Sequence, residues 1–115
     1  KLWGRIMSNI RSHDTLSLIT ATVTIEDLVQ SRSSITDLPT VLEKIRGNYA
    51  GANTFALFYL EGKEQTKLFL KSNQEGLFEK IAPHFPGHII TDETFQATVK
   101  LSPESTEALL VEKLD

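Results

Sequence analysis

"TFALFYLEGKEQTKLFLKS", Thr54 to Ser72, sets two apolar runs on either side of a short polar break. Side chains of an extended chain alternate between two faces. Phe55, Leu57 and Tyr59 therefore point one way, and Ala56, Phe58 and Leu60 the other. Both sets are apolar. That marks an inner strand covered on both sides, or one covered on one side and used for contact on the other. Glu61 to Gln65 is a loop of hairpin length with glycine in its second place. In the second run Leu68 and Leu70 alternate with Lys67, Phe69 and Lys71, whose lysines suit an exposed face or a guarded edge.

Upstream, Leu38, Val41, Leu42, Ile45 and Tyr49 form one stripe at helical spacing. Asp37 or Thr36 can cap that helix, Pro39 is tolerated in its first turn, and Gly47 or Gly51 can end it. Before it, Ile19, Ala21, Val23 and Ile25 alternate with Thr20, Thr22, Thr24 and Glu26, which predicts a strand with one wet face. Val29 to Asp37 is a Ser-rich loop between the two. At the start of the chain Leu2, Trp3, Ile6 and Ile10 have helical spacing, with Lys1, Arg5 and Arg11 largely elsewhere on the wheel.

Downstream, Ser72 and Glu75 have capping-box spacing, and Leu77, Phe78, Ile81, Ala82 and Phe85 continue as a helix that Pro83 ends or kinks. A short strand at His88 to Thr91, a turn at Asp92-Glu93 and a strand bearing Phe95, Ala97, Val99 and Leu101 follow. A last helix is capped by Ser102, with Pro103 at its first position and Leu109, Leu110 and Leu114 as its stripe. The middle of this order, βαββαβ, is that of a ferredoxin-like unit. The expected fold is α+β: an antiparallel sheet with both helices on one face, plus N-terminal and C-terminal helices. Residues 1–13 form a basic amphipathic segment and residues 14–115 a single α+β domain.

The totals narrow the function. With 115 residues the chain holds one domain with a real core. No apolar run approaches the ~20 residues of a membrane span. Cysteine is absent, which excludes disulfides and thiolate chemistry. The first 13 residues carry Lys1, Arg5 and Arg11 and no acid, while the other 102 carry nine basic and fifteen acidic residues, a net of −6. An acidic body argues against a broad nucleic-acid face. The chain starts at Lys1 rather than Met and shows no apolar signal core. A piece of a longer protein is expected, with any activity held in the remainder.

No motif assembles a catalytic centre. His84 and His88 have a metal-binding interval, but Pro86 and Gly87 between them break the helix that would align them. Ser12-His13-Asp14 has the residue types of a triad without a nucleophile elbow, and reads as a surface loop. Gly47 to Thr54 is glycine-rich but closes a helix, whereas phosphate loops open one. Arg32, Ser33 and Ser34 precede the first core helix and are the candidate anion site. No metal or other cofactor is expected.

"DLPTVLEKIRGNYAGANTFALFYLEG" resembles the start of an ACT regulatory domain, in which a helix follows an aspartate, a proline and a small residue; Thr40 stands where that pattern has glycine. The resemblance implies a small ligand bound at a dimer interface. "FALFYLEGKEQTKLFLKSNQEGLFEKIAPHFPG" resembles the small ferredoxin-like N-terminal module of DNA-pumping ATPases of conjugation and secretion systems, where a hairpin leads into a helix ending in an aromatic-proline pair, here Phe85-Pro86. It implies a non-catalytic module with ATP hydrolysed elsewhere.

The expectation is a non-catalytic interaction or assembly module of a larger protein. It would bind a protein partner or itself through the sheet face of Phe55, Leu57, Tyr59, Lys67, Phe69 and Lys71. Direct nucleic-acid binding is not expected. The location implied is cytoplasmic, with residues 1–11 able to lie at the inner face of a membrane. The alternative is an ACT-like ligand-sensing domain.

Overall fold

The computed structural model describes residues 2–115, so Lys1 and its contribution to the basic segment lie outside the described residues. In chain order the elements are α1 (Leu2–Met7), β1 (Arg11–His13), β2 (Leu18–Val23), α2 (Ile25–Ser31), α3 (Leu38–Asn48), β3 (Thr54–Gly62), β4 (Gln65–Ser72), α4 (Leu77–Ile81), β5 (Ile89–Thr91), β6 (Thr94–Val99) and α5 (Pro103–Leu114). Single 3-10 turns follow β1, precede α3 and extend α4.

The hairpin forms as the alternation predicts. β3 and β4 pair antiparallel with Leu57 opposite Phe69 and Phe58 opposite Leu68, and a bulge lies between Leu60 and Gly62. Phe55 through Tyr59 are all buried, so β3 is an inner strand covered on both sides. Asp92 and Glu93 turn between β5 and β6 with positive φ at both residues, the conformation of a two-residue hairpin turn.

The sheet departs from the expected ferredoxin-like arrangement. Among the described residues six strands run in the order β1-β2-β3-β4-β6-β5. β2 and β3 are parallel neighbours and every other pair is antiparallel, so the sheet is mixed. A split βαβ unit has another strand between the two that its helix joins; here those two, β2 and β3, touch directly. The helices also lie on both faces. α1, α2 and α3 pack over one face against Ile19, Ala21, Val23, Phe55, Leu57, Tyr59 and Phe69. α4 and α5 pack over the other against Leu18, Ala56, Phe58, Leu68, Leu70, Phe95 and Ala97. The physical reason is visible in β3 itself: with large apolar side chains on both faces, one layer of helices leaves half of them in water.

Two further expectations are corrected. The Thr face of β2 is not wet, since Thr20 is fully buried beneath α5. The alternation also does not run through Glu26, because the strand stops at Val23 and α2 begins at Ile25. Thr24 caps α2: its hydroxyl accepts from Asp27 N–H at 3.1 Å, and its own N–H donates to Asp27 Oδ2 at 2.9 Å. The first part of the expected Ser-rich loop is therefore helix. The capping box expected from Ser72 and Glu75 does not form either; Gly76, at φ 80°, precedes α4, and the Ser72 hydroxyl serves Thr54 and Gln74. α1 buries Leu2 and Ile6 against the core and β1 joins the sheet, so both belong to the same fold as the rest.

Candidate functional site

The six residues expected on one sheet face do share a face. Their register places Phe55 beside Lys71, Leu57 beside Phe69 and Tyr59 beside Lys67. That face is not open to a partner, however. Phe55, Leu57, Tyr59 and Phe69 are buried in the cluster roofed by α1, α2 and α3. Lys67 is half-buried, with Nζ 5.7 Å from the centre of the Phe69 ring. The chain's own helices fill the surface that the sequence leaves for another molecule.

One member of the set keeps chemical potential. The side chain of Lys71 is only 8% exposed, and its Nζ lies 2.9 Å from Glu43 Oε2 of α3. The same oxygen is 3.6 Å from Nη1 of Arg46, one turn further along α3. Glu43 is 52% exposed. Two cations, one of them buried, thus converge on one oxygen of a carboxylate that stands largely in water. The Lys71 ammonium, followed by its charge and that of Arg46, outweighs what burial Glu43 has and holds its carboxyl below the usual range. A cleft of about 570 Å³ opens here, lined by Glu43, Arg46, Gly47, Phe55, Asn73 and Glu93 among others. Phe55 of β3 and Asn73, just after β4, form its inner wall.

The loop expected to hold an anion is turned on itself. Arg32 ends α2 in the left-handed conformation at φ 56° and is exposed. Ser31 Oγ donates to Ser33 Oγ at 3.0 Å, and Ser34 Oγ and Thr36 Oγ1 lie 2.7 Å apart. Ser34 N–H donates to Asp37 Oδ2 at 2.8 Å, so a carboxylate of the chain already sits where the loop offers its N–H.

A second polar cluster, which the sequence did not suggest, surrounds Glu107 of α5. Its side chain is 12% exposed. Arg11 holds it with two nitrogens, the Nε at 3.1 Å from Oε1, while His13 Nε2 and Thr20 Oγ1 each lie 2.7 Å from Oε2. Burial pushes the Glu107 carboxyl up, but hydrogen bonds from Arg11, Thr20 and His13 prevail and hold it below the usual range. A cleft of about 630 Å³ runs beside the cluster. Its donors are already engaged with one another: Arg11 also donates to Thr22 Oγ1 at 3.0 Å and to Asn9 O at 3.2 Å. The cluster therefore acts as a clamp between β1 and α5. His13, a loop residue by sequence, stands in β1. The partners are 96 and 94 residues apart, so no local motif announces them. The available signal was a carboxylate on the apolar stripe of α5, three residues before Leu110 and seven before Leu114.

His84 is exposed on the turn after α4, and His88 stacks on Phe95 with ring centres 5.1 Å apart and Nδ1 3.1 Å from Phe85 O. Among the described residues no group of three metal-ligating side chains converges. Among the described residues no helix is long and apolar enough to cross a membrane either.

No family model matches the sequence, and no curated protein matches it. Among solved structures, an exopolyphosphatase-related protein from Bacteroides fragilis superposes with a TM-score of 0.78 at 15% identity. The alignment covers 98% of this chain and 33% of that one, so the chain spans about a third of that protein's length. At this identity the likeness shows a shared fold: a six-stranded mixed sheet between two helical layers that recurs as one part of a larger protein.

Proposed function

We propose that this chain is a non-catalytic accessory domain of a longer protein and that it holds a phosphate-bearing ligand for chemistry performed elsewhere in that protein. The observation that supports a place within a longer protein is the alignment of nearly the whole chain with 33% of the exopolyphosphatase-related protein. The name of that protein points to condensed phosphate as the class of ligand. The cleft at Glu43 and Arg46, with the Lys71 ammonium behind the Glu43 carboxylate, is the place on this chain that suits such a ligand. A buried ammonium cannot move into water, so it favours an anion brought to it. Arg46 adds a planar donor fork that fits phosphate oxygens. The site is local, and the net −6 of residues 14–115 keeps a long polyanion from spreading over the rest of the surface.

Calorimetric titration with inorganic tripolyphosphate at low ionic strength tests this reading. Saturable binding is expected, weakened about tenfold or more by Lys71→Met, a change that keeps the side chain's length and removes its charge. Circular dichroism reports whether the variant is folded. Absence of binding, or binding indifferent to Lys71 and Arg46, overturns the proposal.

A further inference from the structure

We infer that Glu43 is an internal stand-in for the anion: its carboxylate occupies the ligand's place between Lys71 and Arg46 and leaves when the ligand arrives. The inference rests on the anion-binding reading of this cleft. Its carrier is an asymmetry of exposure. The Lys71 side chain is 8% exposed and that of Glu43 is 52% exposed. The cation is fixed and desolvated, while the carboxylate is on the outer, solvated side of α3.

The carboxylate itself can swing into water at small cost, because it is already half in water. A buried ammonium left without a counter-charge is costly. Loss of Glu43 from the pair is therefore favourable only when another anion replaces it, which makes the step an exchange rather than an opening. The geometry suits exchange. One oxygen, Oε2, lies 2.9 Å from Lys71 Nζ and 3.6 Å from Arg46 Nη1, the place one phosphate oxygen would take. The charged lining of the cleft is Glu43, Arg46 and Glu93, the last on the β5–β6 turn, and Lys71 stands behind Glu43. With Glu43 in place the four charges cancel. With Glu43 swung out into water, a net positive site remains for a phosphate group. The consequence is discrimination: a ligand must compete with an attached carboxylate at high effective concentration. Weak monoanions such as acetate are excluded, and multiply charged phosphates are admitted.

The test is titration of inorganic tripolyphosphate into the 115-residue chain and its variants Glu43→Gln, Glu79→Gln and Lys71→Met. Glu79, on α4, is exposed and removed from the cleft, so its variant makes the same change in net charge. Glu43→Gln is expected to bind about fivefold tighter than the parent or more, because the ligand no longer has a carboxylate to displace. Glu79→Gln is expected to match the parent, and Lys71→Met to bind least. If Glu43→Gln binds no tighter while binding still depends on Lys71, the stand-in role is wrong and the anion site survives. If Glu79→Gln gains as much as Glu43→Gln, the effect is one of overall charge and the inference also fails. If no variant binds, both the site and the stand-in are overturned.

Discussion

Phe58 and Glu107 show how single residues carry this fold. Phe58 is fully buried on the α4–α5 side of β3, opposite Leu68. Truncation to alanine leaves a ring-sized void among side chains that cannot close around it. Phe58→Ala is expected to cost roughly 3–5 kcal/mol in urea denaturation, and a cost near zero removes the inner-strand assignment. That burial was legible, because a run with large apolar residues on both faces has no face to give to water. Glu107 was not legible, since its partners come from the far end of the chain. Its effect on stability has a definite sign. The folded carboxyl is held below the ordinary range, so the folded state binds fewer protons than the unfolded chain in that window. The stabilisation is whole above the ordinary glutamate value of about 4.3 and is lost as pH falls through the lower folded value. Glu107→Gln should therefore be less stable than the parent at pH 7. The gap between the two should narrow as the pH is taken down to about 3. A constant gap across that range shows that the clamp does not depend on the carboxylate's charge.

At the scale of elements, the differences between expectation and structure come from competition between local and distant demands. Ile25 continues the alternation of β2, yet Thr24 and Asp27 satisfy each other's backbone and start α2. The Thr-x-x-Asp spacing was in the sequence, but the β-branched run hid it. The cap has a measurable weight: Thr24→Ala should lower stability by about 0.5–2 kcal/mol, and restoring the hydroxyl with Thr24→Ser should recover most of it. If Ser and Ala behave alike, the cap is not what begins α2. α1 makes the complementary point. Its apolar spacing was legible as a helix, but Arg5 and Arg11 of the basic segment have partners in the fold. Arg5 Nε lies 3.0 Å from Asp27 Oδ1, and Arg11, which opens β1, meets Glu107. Which surface a helix covers depends on where the sheet presents uncovered apolar side chains, and the sheet order is not written in any one segment. The candidate site follows the same rule. By sequence Lys71 read as a lysine of an exposed face or a guarded edge, whereas it is buried, and Glu43 and Arg46 were two surface residues of a helix until α3 was set over β4.

For the whole molecule, the decisive fact is that one sheet serves two cores. β3 gives Phe55, Leu57 and Tyr59 to the layer of α1, α2 and α3, and Ala56 and Phe58 to the layer of α4 and α5. Adjacent residues on one strand thus anchor opposite layers, so losing the packing of one layer should loosen the sheet that the other uses. Unfolding should be a single cooperative event, as for small domains in general. The chain offers a reporter for this, because Trp3 is its one tryptophan and packs against the α1–α3 core. Far-UV circular dichroism reports the helices and strands of both layers. In the parent the two signals should give coincident urea midpoints. The sharper case is Leu110→Ala, which empties a fully buried position on the α5 side, away from Trp3. It should lower stability by about 2–5 kcal/mol. If the sheet couples the layers, the tryptophan midpoint should move as far as the dichroism midpoint. If dichroism moves and tryptophan fluorescence does not, the layers unfold separately. The sheet then joins two weakly coupled halves, and the clamp from Glu107 to β1 does not transmit the loss of α5 packing across it.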